Sequence, residues 1–247
     1  MRTLGKKVIR YENVVSTNET LRELAQQGIG HGTVVTSIVQ TGGKGRLGRT
    51  WESPEGGLWM SVLLELDDGF DISRSGLISL LAGSSVATAI IMEYELDAGV
   101  KWPNDILIEG RKISGILSEL FQIEGKRYVV LGIGVNVNNS VREGYDFSDG
   151  STSISEEFGK KVKLEVLENT ILEELDFRLE LLANSEFDKI LEDWRNLSET
   201  LGRHVHVITP GSEVRGIAKD IDGTGSLLMD MDGRIETISV GDCRHLD

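Results

Sequence analysis

Apolar and polar positions fall into three regimes along this 247-residue chain. The first, up to about residue 139, mixes β-branched runs with one amphipathic and one wholly apolar segment. The spacing predicts a strand near residues 8–12 and then a helix over 17–27, whose start carries a capping-box pattern, Ser16-x-x-Glu19. Runs at 33–39 and 58–66 read as strands, and the glycine-rich stretch 42–51 between them reads as a loop. Residues 75–92 carry no charge over 18 positions. They also hold four serines, a threonine and two glycines, which favours a buried helix near 72–94 over a membrane span. Residues 105–108 and 112–120, joined by Glu109-Gly110-Arg111, read as a hairpin, and 127–136 as a further strand.

From 163 to 201 the period becomes helical, with Leu164, Leu167, Ile171, Leu175, Leu179 and Leu182 three or four apart and acids on the other face. Near Gly202 the composition shifts again. Short β-type runs at 205–208, 214–218, 227–229 and 235–240 are spaced by Gly, Asp and Ser turns, as in a small five-strand barrel. Roughly 45 residues seldom stand alone, so this unit is expected to pack on the rest. The expected organisation is an α+β domain over 1–201, with a mixed or antiparallel sheet packed with helices, followed by a small β-barrel domain over 202–247.

Charge changes this picture at one place. Lys and Arg total 26 against 40 Asp and Glu, a net charge of −14, which disfavours any general affinity for nucleic acid. Yet the loop GGKGRLGRTW at 42–51 gathers Lys44, Arg46 and Arg49 among four glycines. Glycines let backbone N–H groups crowd a ligand, and the cations supply fixed positive charge. The spacing imitates a dinucleotide fingerprint and falls one residue from a P-loop, but both require a helix to begin at the last glycine. The segment Trp51-Glu52-Ser53-Pro54 cannot supply one. The loop therefore reads as an anion clamp, against the alternative of a solvated basic loop. One cysteine, Cys243, rules out an internal disulfide and suits a reducing compartment. The start Met1-Arg2-Thr3 followed by a mixed run does not resemble a secretory signal.

Further candidates surround the clamp. Thr17 and Asn18 at a helix start, and Gln40 at a strand end, offer donors and acceptors to a polar head group, or are simply satisfied where they stand. KWPND at 101–105 sets a tight turn beside a tryptophan and a lysine. RKISGIL at 111–117 puts Lys112, Ser114 and Ile116 on one face, with Gly115 admitting something flat. Lys112, on an otherwise apolar strand, either meets an anion or reaches solvent. GIGVN at 132–136 holds a nucleobase or merely ends its strand. His204 and His206 share a strand face, but two ligands do not make a zinc site. The metal ligands are not legible.

In order and near spacing, Ser-Thr-Asn, Gln-x-x-Gly-x-Gly-Arg-x-Gly-Arg-x-Trp, Lys-Trp-Pro-Asn-Asp, Arg-Lys-x-x-Gly-Ile-Leu and Gly-x-Asn resemble the catalytic part of the biotin protein ligases over almost the whole chain. The resemblance implies a class II aminoacyl-tRNA synthetase-like catalytic domain with an SH3-like barrel after it. It implies activation of biotin by ATP and Mg2+ to biotinyl-5′-AMP, then transfer to a lysine of a biotin carboxyl carrier domain. Ser16, Thr17, Asn18 and Gln40 match positions that hold the biotin ring, while Lys44, Gly45 and Arg46 match the segment closing over the acyl phosphate. Lys112 matches the lysine between the biotin carboxylate and the α-phosphate, with Gly115 beside it. Arg46, Arg49, Trp51, Asn104, Lys112 and Asn136 match the ATP side, and Arg46 and Lys112 the catalytic pair. Lys44 departs from the family's usual arginine, keeping the charge but losing the bidentate fork.

About fifteen residues precede Ser16, too few for a three-helix DNA reader, so the resemblance implies a ligase that does not repress transcription. It also implies a cytoplasmic enzyme with no membrane and no nucleic-acid partner, and it admits a homodimer. Two alternatives compete: a lipoate or octanoate ligase or transferase of related fold, and a non-catalytic biotin-binding module. Cys243 is badly placed for the cysteine chemistry of the transferases, and Arg46 and Lys112 would be superfluous for holding an uncharged ring.

Overall fold

The computed structural model describes residues 3–141 and 150–246, so Met1, Arg2 and Asp247, which the expected domain bounds included, lie outside the described residues. In chain order the elements are β1 (Val8–Val14), α1 (Thr17–Gln26), β2 (Val34–Gln40), β3 (Leu58–Leu66), α2 (Gly76–Tyr94), β4 (Ala98–Lys101), β5 (Asp105–Ile108), β6 (Arg111–Ile123) and β7 (Lys126–Val135). Next come α3 (Ile154–Phe158), α4 (Leu164–Ala183) and α5 (Phe187–Asn196), then β8 (His204–Ile208), β9 (Glu213–Ile221), β10 (Leu227–Met231), β11 (Arg234–Ile238) and β12 (Asp242–His245). The first seven strands form one sheet in the order β1-β2-β3-β7-β6-β5-β4, parallel only between β1 and β2. The last five form an antiparallel sheet in the order β11-β10-β9-β8-β12. This is the expected α+β architecture.

Helix α2 is apolar around its circumference because it is covered around its circumference. It packs on β4, β5 and β6 on one side and on α4 and α5 on the other. The uncharged segment is thus a core helix, with Leu77, Ile78, Leu81, Val86 and Ile90 fully buried. Helix α1 lies on the opposite face of the sheet, against β2, β3 and β7. There Leu21 and Ala25 pack with Val35, Leu63, Phe121 and Val130 in a second, smaller core.

The period of two along the strands explains why the site lies at one end of that face. On β3 the series runs from Leu63 to Ser61, on β7 from Val130 to Gly132 and Gly134, and on β6 from Phe121 through Glu119 and Leu117 to Gly115. At one end these positions are large and apolar and sit under α1. At the other, Leu117 apart, they are small or polar, so the sheet surface is hollowed.

The helical stretch expected over 163–201 is present as two helices, broken where Ser185 adopts a positive φ of 58°. Other expectations are corrected. Strand β4 and the short helix α3 were not foreseen. The capping box at Ser16 does not form: Ser16 makes no side-chain cap hydrogen bond, and Glu19 turns instead to Lys44. The Thr17 N–H is satisfied by Gln40 Oε1 at 2.8 Å, so a side chain from another strand does the capping. The hairpin between β5 and β6 turns at Glu109 and Gly110, φ 49° and 77°, as a two-residue turn of that hand requires. A bulge next to Ile106 and Leu107 then shifts the register of β6. Lys112 therefore lies beside Gly115, rather than sharing a face with Ser114 as strict alternation implied.

The C-terminal sheet shares the main core, as its size demanded. Val205, Val207, Ala218, Leu227, Met229 and Cys243 belong to the same buried cluster as α2 and Trp102. Trp102 Nε1 donates to the Gly225 carbonyl at 3.0 Å, and Arg195 pairs with Asp220.

Candidate active site

One cavity on the α1 face gathers nearly every residue singled out from the sequence. Its wall includes Ser16, Thr17 and Asn18 from the start of α1, Gln40 from the end of β2, and Lys44, Gly45, Arg46, Arg49 and Trp51 from the glycine-rich loop. Asn104, Lys112 and Gly115 complete the set from the β4–β5 turn and β6. Asn136 is the exception. It is buried, but it does not line this cavity; its backbone N–H donates to Ile113 and its Oδ1 accepts from Asn139 Nδ2 at 3.0 Å. Strand β7 turns away one residue after Gly134, so the position that ends the motif falls behind the wall.

The loop is a narrow antiparallel turn. Gly45 N–H donates to the Arg49 carbonyl at 2.8 Å and Trp51 N–H to the Gly43 carbonyl at 2.9 Å. At the tip Leu47 and Gly48 both take positive φ, 54° and 77°. A Cβ on Gly43 would lie 2.3 Å from the Trp51 carbonyl oxygen, so only glycine closes the stem. Three cationic side chains pin the loop over the cavity. Lys44 Nζ pairs with Glu19 Oε1 between exposed side chains. Arg46 Nη1 donates to Asn104 Oδ1 at 3.0 Å and to the Gly241 carbonyl at 3.4 Å. Arg49 makes a two-point contact with Asp242, at 2.9 and 2.6 Å.

Burial separates these cations in character. Desolvation pulls the Arg46 guanidinium below its ordinary pKa, with Asp105 and Asp242 working the other way. Lys112 is buried on β6, and desolvation lowers its pKa against the pull of Asp105, whose Oδ1 lies 2.5 Å from Nζ. Asp242 is opposed by burial, yet the Arg49 guanidinium holds its carboxyl below the usual range. The exposed Lys44 ammonium is raised by its hydrogen bond to Glu19. The deep end of the cavity thus holds compact positive charge balanced by two carboxylates, the arrangement that an anionic ligand would replace.

The flat object admitted by Gly115 belongs to the protein. A Cβ on Gly115 would stand 3.1 Å from the Trp51 ring, and one on Gly134 would stand 2.6 Å from Trp51 Nε1. The indole lies across both glycines, with Lys112 Nζ 5.3 Å from its centroid. Trp51 Nε1 is buried against Gly134 without a hydrogen-bond partner among the described residues.

Sequence reasoning missed Gly241 and Asp242, which come from the C-terminal sheet and face the clamp across about 190 residues of chain. No local motif marks them; the one available signal was that a short unit without its own core must pack somewhere. Ser53 and Ser61 were also missed, and they hold Gln40 Nε2 and Asn18 Oδ1 at 2.7 and 2.6 Å.

Residues 11–136 match the biotin/lipoate A/B protein ligase family, and residues 200–246 match the biotin protein ligase C terminal domain. The chain belongs to the biotin/lipoate A/B protein ligase family. It is similar to the bifunctional ligase/repressor BirA of Bacillus subtilis, 33% identical over 97% of this chain and 74% of that protein. It is also similar to the biotin–[acetyl-CoA-carboxylase] ligase of Mycobacterium tuberculosis, 34% identical over 94% of this chain and 86% of that one. Among solved structures, the biotin protein ligase of Aquifex aeolicus in complex with biotin and ATP superposes with a TM-score of 0.84 at 28% identity, covering 97% of this chain and 98% of that one.

Proposed function

We propose that the chain is a biotin–[carboxyl carrier protein] ligase: it joins biotin to ATP as biotinyl-5′-AMP, releasing pyrophosphate, and passes the biotinyl group to a carrier lysine. The observation that carries this reading is the polarity of one cavity, with hydroxyl and amide groups of Thr17, Asn18 and Gln40 at one part and Lys112, Arg46 and Arg49 at another. A ligand with a polar ring at one end and a carboxylate at the other suits that layout. In the first step a carboxylate oxygen attacks the α-phosphorus, an O–P bond forms and the bond to pyrophosphate breaks. Two anions must approach, so Lys112 and Arg46 lower the barrier by screening and aligning them. The mixed anhydride is prone to hydrolysis, and the pinned loop excludes water until the amine arrives. In the second step the neutral carrier amine attacks the acyl carbon, AMP leaves and the amine sheds a proton.

Ser16 and Gly115 are assigned to the biotin side with Lys44 and Gly45, and Arg49, Trp51 and Asn104 to the nucleotide side. Asn136, behind the wall, is given at most an indirect part. Mg2+ favours oxygen ligands and retains several waters, so it is bound through one or two carboxylates plus substrate phosphates. Asp105 and Asp242 are the carboxylates lining the cavity, and they fit that requirement; the metal would neutralise phosphate charge there. We read residues 1–201 as the catalytic domain and 202–247 as a second domain that closes the clamp through Asp242.

The test is incubation with labelled biotin, MgATP and a carrier domain, with lipoate in parallel. Label on the carrier from biotin alone is expected; label from lipoate alone would favour the lipoate reading. Cys243 argues against a cysteine transferase, because burial pushes its thiol up to about 12. Asn18→Ala is expected to weaken biotin by roughly 1–3 kcal/mol and to leave ATP binding near its parent value. Calorimetry with each ligand separates the two, and equal losses would point to a defect at the start of α1.

The surrounding assignments follow the same reading. A lone buried cysteine suits a cytoplasmic setting, a homodimer is tested by light scattering, and no nucleic-acid partner is assigned. With a net charge of −14, any retention on DNA is expected to vanish as salt rises. A salt-resistant footprint would overturn that assignment.

A further inference from the structure

Glu119 and Ser61 are absent from the cavity wall, yet both touch the residues that form its head-group end. Asn18 Nδ2 donates to Glu119 Oε2 at 2.7 Å and, at a longer 3.4 Å, to the Leu117 carbonyl. Ser61 Oγ lies 2.6 Å from Asn18 Oδ1 and 2.7 Å from Thr17 Oγ1. Gln40 Oε1 accepts the Thr17 backbone N–H at 2.8 Å and lies 3.1 Å from Thr17 Oγ1, while Gln40 Nε2 donates to Ser53.

Proton counting orients this chain. A carboxylate only accepts, so Glu119 must face the NH2 of Asn18, and Asn18 Oδ1 must then face Ser61. An amide oxygen also only accepts. Ser61 has a single proton and must give it to Asn18, which leaves its oxygen as an acceptor toward Thr17. Gln40 turns its oxygen to Thr17 as well, because the Thr17 backbone N–H can only donate. Both neighbours of the Thr17 hydroxyl are therefore acceptors, and its one proton is held by the protein whichever of them takes it. Toward the cavity Thr17 offers lone pairs alone, and Asn18 Oδ1 keeps a second lone pair of its own. Gly132 supports the arrangement, since a Cβ there would stand 2.4 Å from Asn18 Oδ1.

We infer that Glu119 is a positioning residue that sets the direction of this hydrogen-bond chain, making the Thr17–Asn18 wall an acceptor selective for ligand heads that present N–H groups. The inference rests on the proposed function, in which that head is the ureido ring of biotin, a group with two N–H donors and one carbonyl. Glutamine at 119 can donate as well as accept, which leaves the Asn18 amide held by the longer contact to the Leu117 carbonyl, so that Asn18 can flip and Ser61 turn its proton toward Thr17. The wall then loses its fixed sense while keeping its shape.

The experiment first measures pyrophosphate release by the parent protein with biotin and ATP. Absence of release would remove the proposed function and is read separately from everything that follows. Biotin and a ureido-N-methylated biotin are then titrated calorimetrically into the parent, Glu119→Gln and Ser61→Ala, with ATP titrated alongside. Biotin affinity is expected to fall roughly tenfold or more in Glu119→Gln, and the penalty for N-methylation to shrink severalfold, with ATP affinity held within about twofold. Ser61→Ala, in which Glu119 still holds the Asn18 NH2 and Gln40 still takes the Thr17 proton, is expected to keep that penalty. Glu119 also contributes to the field at Lys44. Glu19→Gln controls for this, because it frees Lys44 without touching Asn18, and it is expected to keep the parent ratio between the two biotins. If Glu119→Gln proves unstable, Glu119→Ala, which also removes the carboxylate that holds the Asn18 amide, is titrated in its place. An unchanged N-methylation penalty in the Glu119 variant that folds, an equal shrinkage in Ser61→Ala, or a parallel loss of ATP affinity would overturn the inference.

Discussion

Replacing Lys112 by alanine is expected to slow pyrophosphate release by at least about a hundredfold, on the order of 3 kcal/mol in the barrier, with a much smaller effect on biotin affinity. The asymmetry follows from where the charge sits. Lys112 is buried beside Asp105 on a bulged strand, so in the ligand-free site its ammonium is already balanced by one carboxylate. It becomes indispensable only when a second carboxylate and a phosphate converge on it. Single-turnover release of pyrophosphate measures the step directly, and release at the parent rate would remove Lys112 from the chemistry.

The acid–base behaviour of Lys112 adds a pH dependence with a definite sign. Burial lowers its pKa below that of an ordinary lysine, and Asp105 only partly opposes the shift. The charged form does the work, so adenylation is expected to fall on the alkaline side at a lower pH than an exposed lysine would give. Binding of biotin carboxylate and ATP adds negative charge and raises that pKa. The alkaline limb of kcat/KM, which reports the free enzyme, is therefore expected to lie below the limb of kcat. Coincident limbs would show that a group other than Lys112 governs the decline.

Much of this site was legible because its chemistry is local in sequence. The glycine–cation loop, the Ser-Thr-Asn helix start and Lys112 on its apolar strand each violate an ordinary pattern for that element, and the fold brings all three to one cavity. What was hidden lies in pairings that period and propensity do not encode. The capping box at Ser16 was locally correct but lost to tertiary partners, Gln40 for the Thr17 N–H and Lys44 for Glu19. The bulge in β6 reversed the expected neighbours of Lys112, since one added residue moves every later side chain to the other face. Asn136 matched a motif position, yet the chain leaves the sheet before its side chain can reach the cavity. Strand β4 is four residues long and Gly-containing, too short for any period to show.

Arg46→Gly is expected to raise biotinyl-adenylate release roughly tenfold to a hundredfold and, with it, the labelling of exposed lysines on bystander proteins. Arg46 is largely buried and joins the loop tip to two separate supports, Asn104 in the β4–β5 turn and the Gly241 carbonyl of the C-terminal sheet. Glycine removes both links and frees the backbone at the same position. The remaining anchors are unequal. The Lys44–Glu19 pair is exposed and salt-screened, whereas the Arg49–Asp242 contact is two-pronged and half-buried. The loop should then stay tethered through Arg49 while opening at Arg46, so adenylate forms but escapes. Arg49→Ala should differ in kind, costing ATP affinity and the first step more than retention. Adenylate dissociation measured by rapid filtration distinguishes the two, and a parent-like off-rate in Arg46→Gly would show that the clamp is held by Arg49 and Asp242 alone.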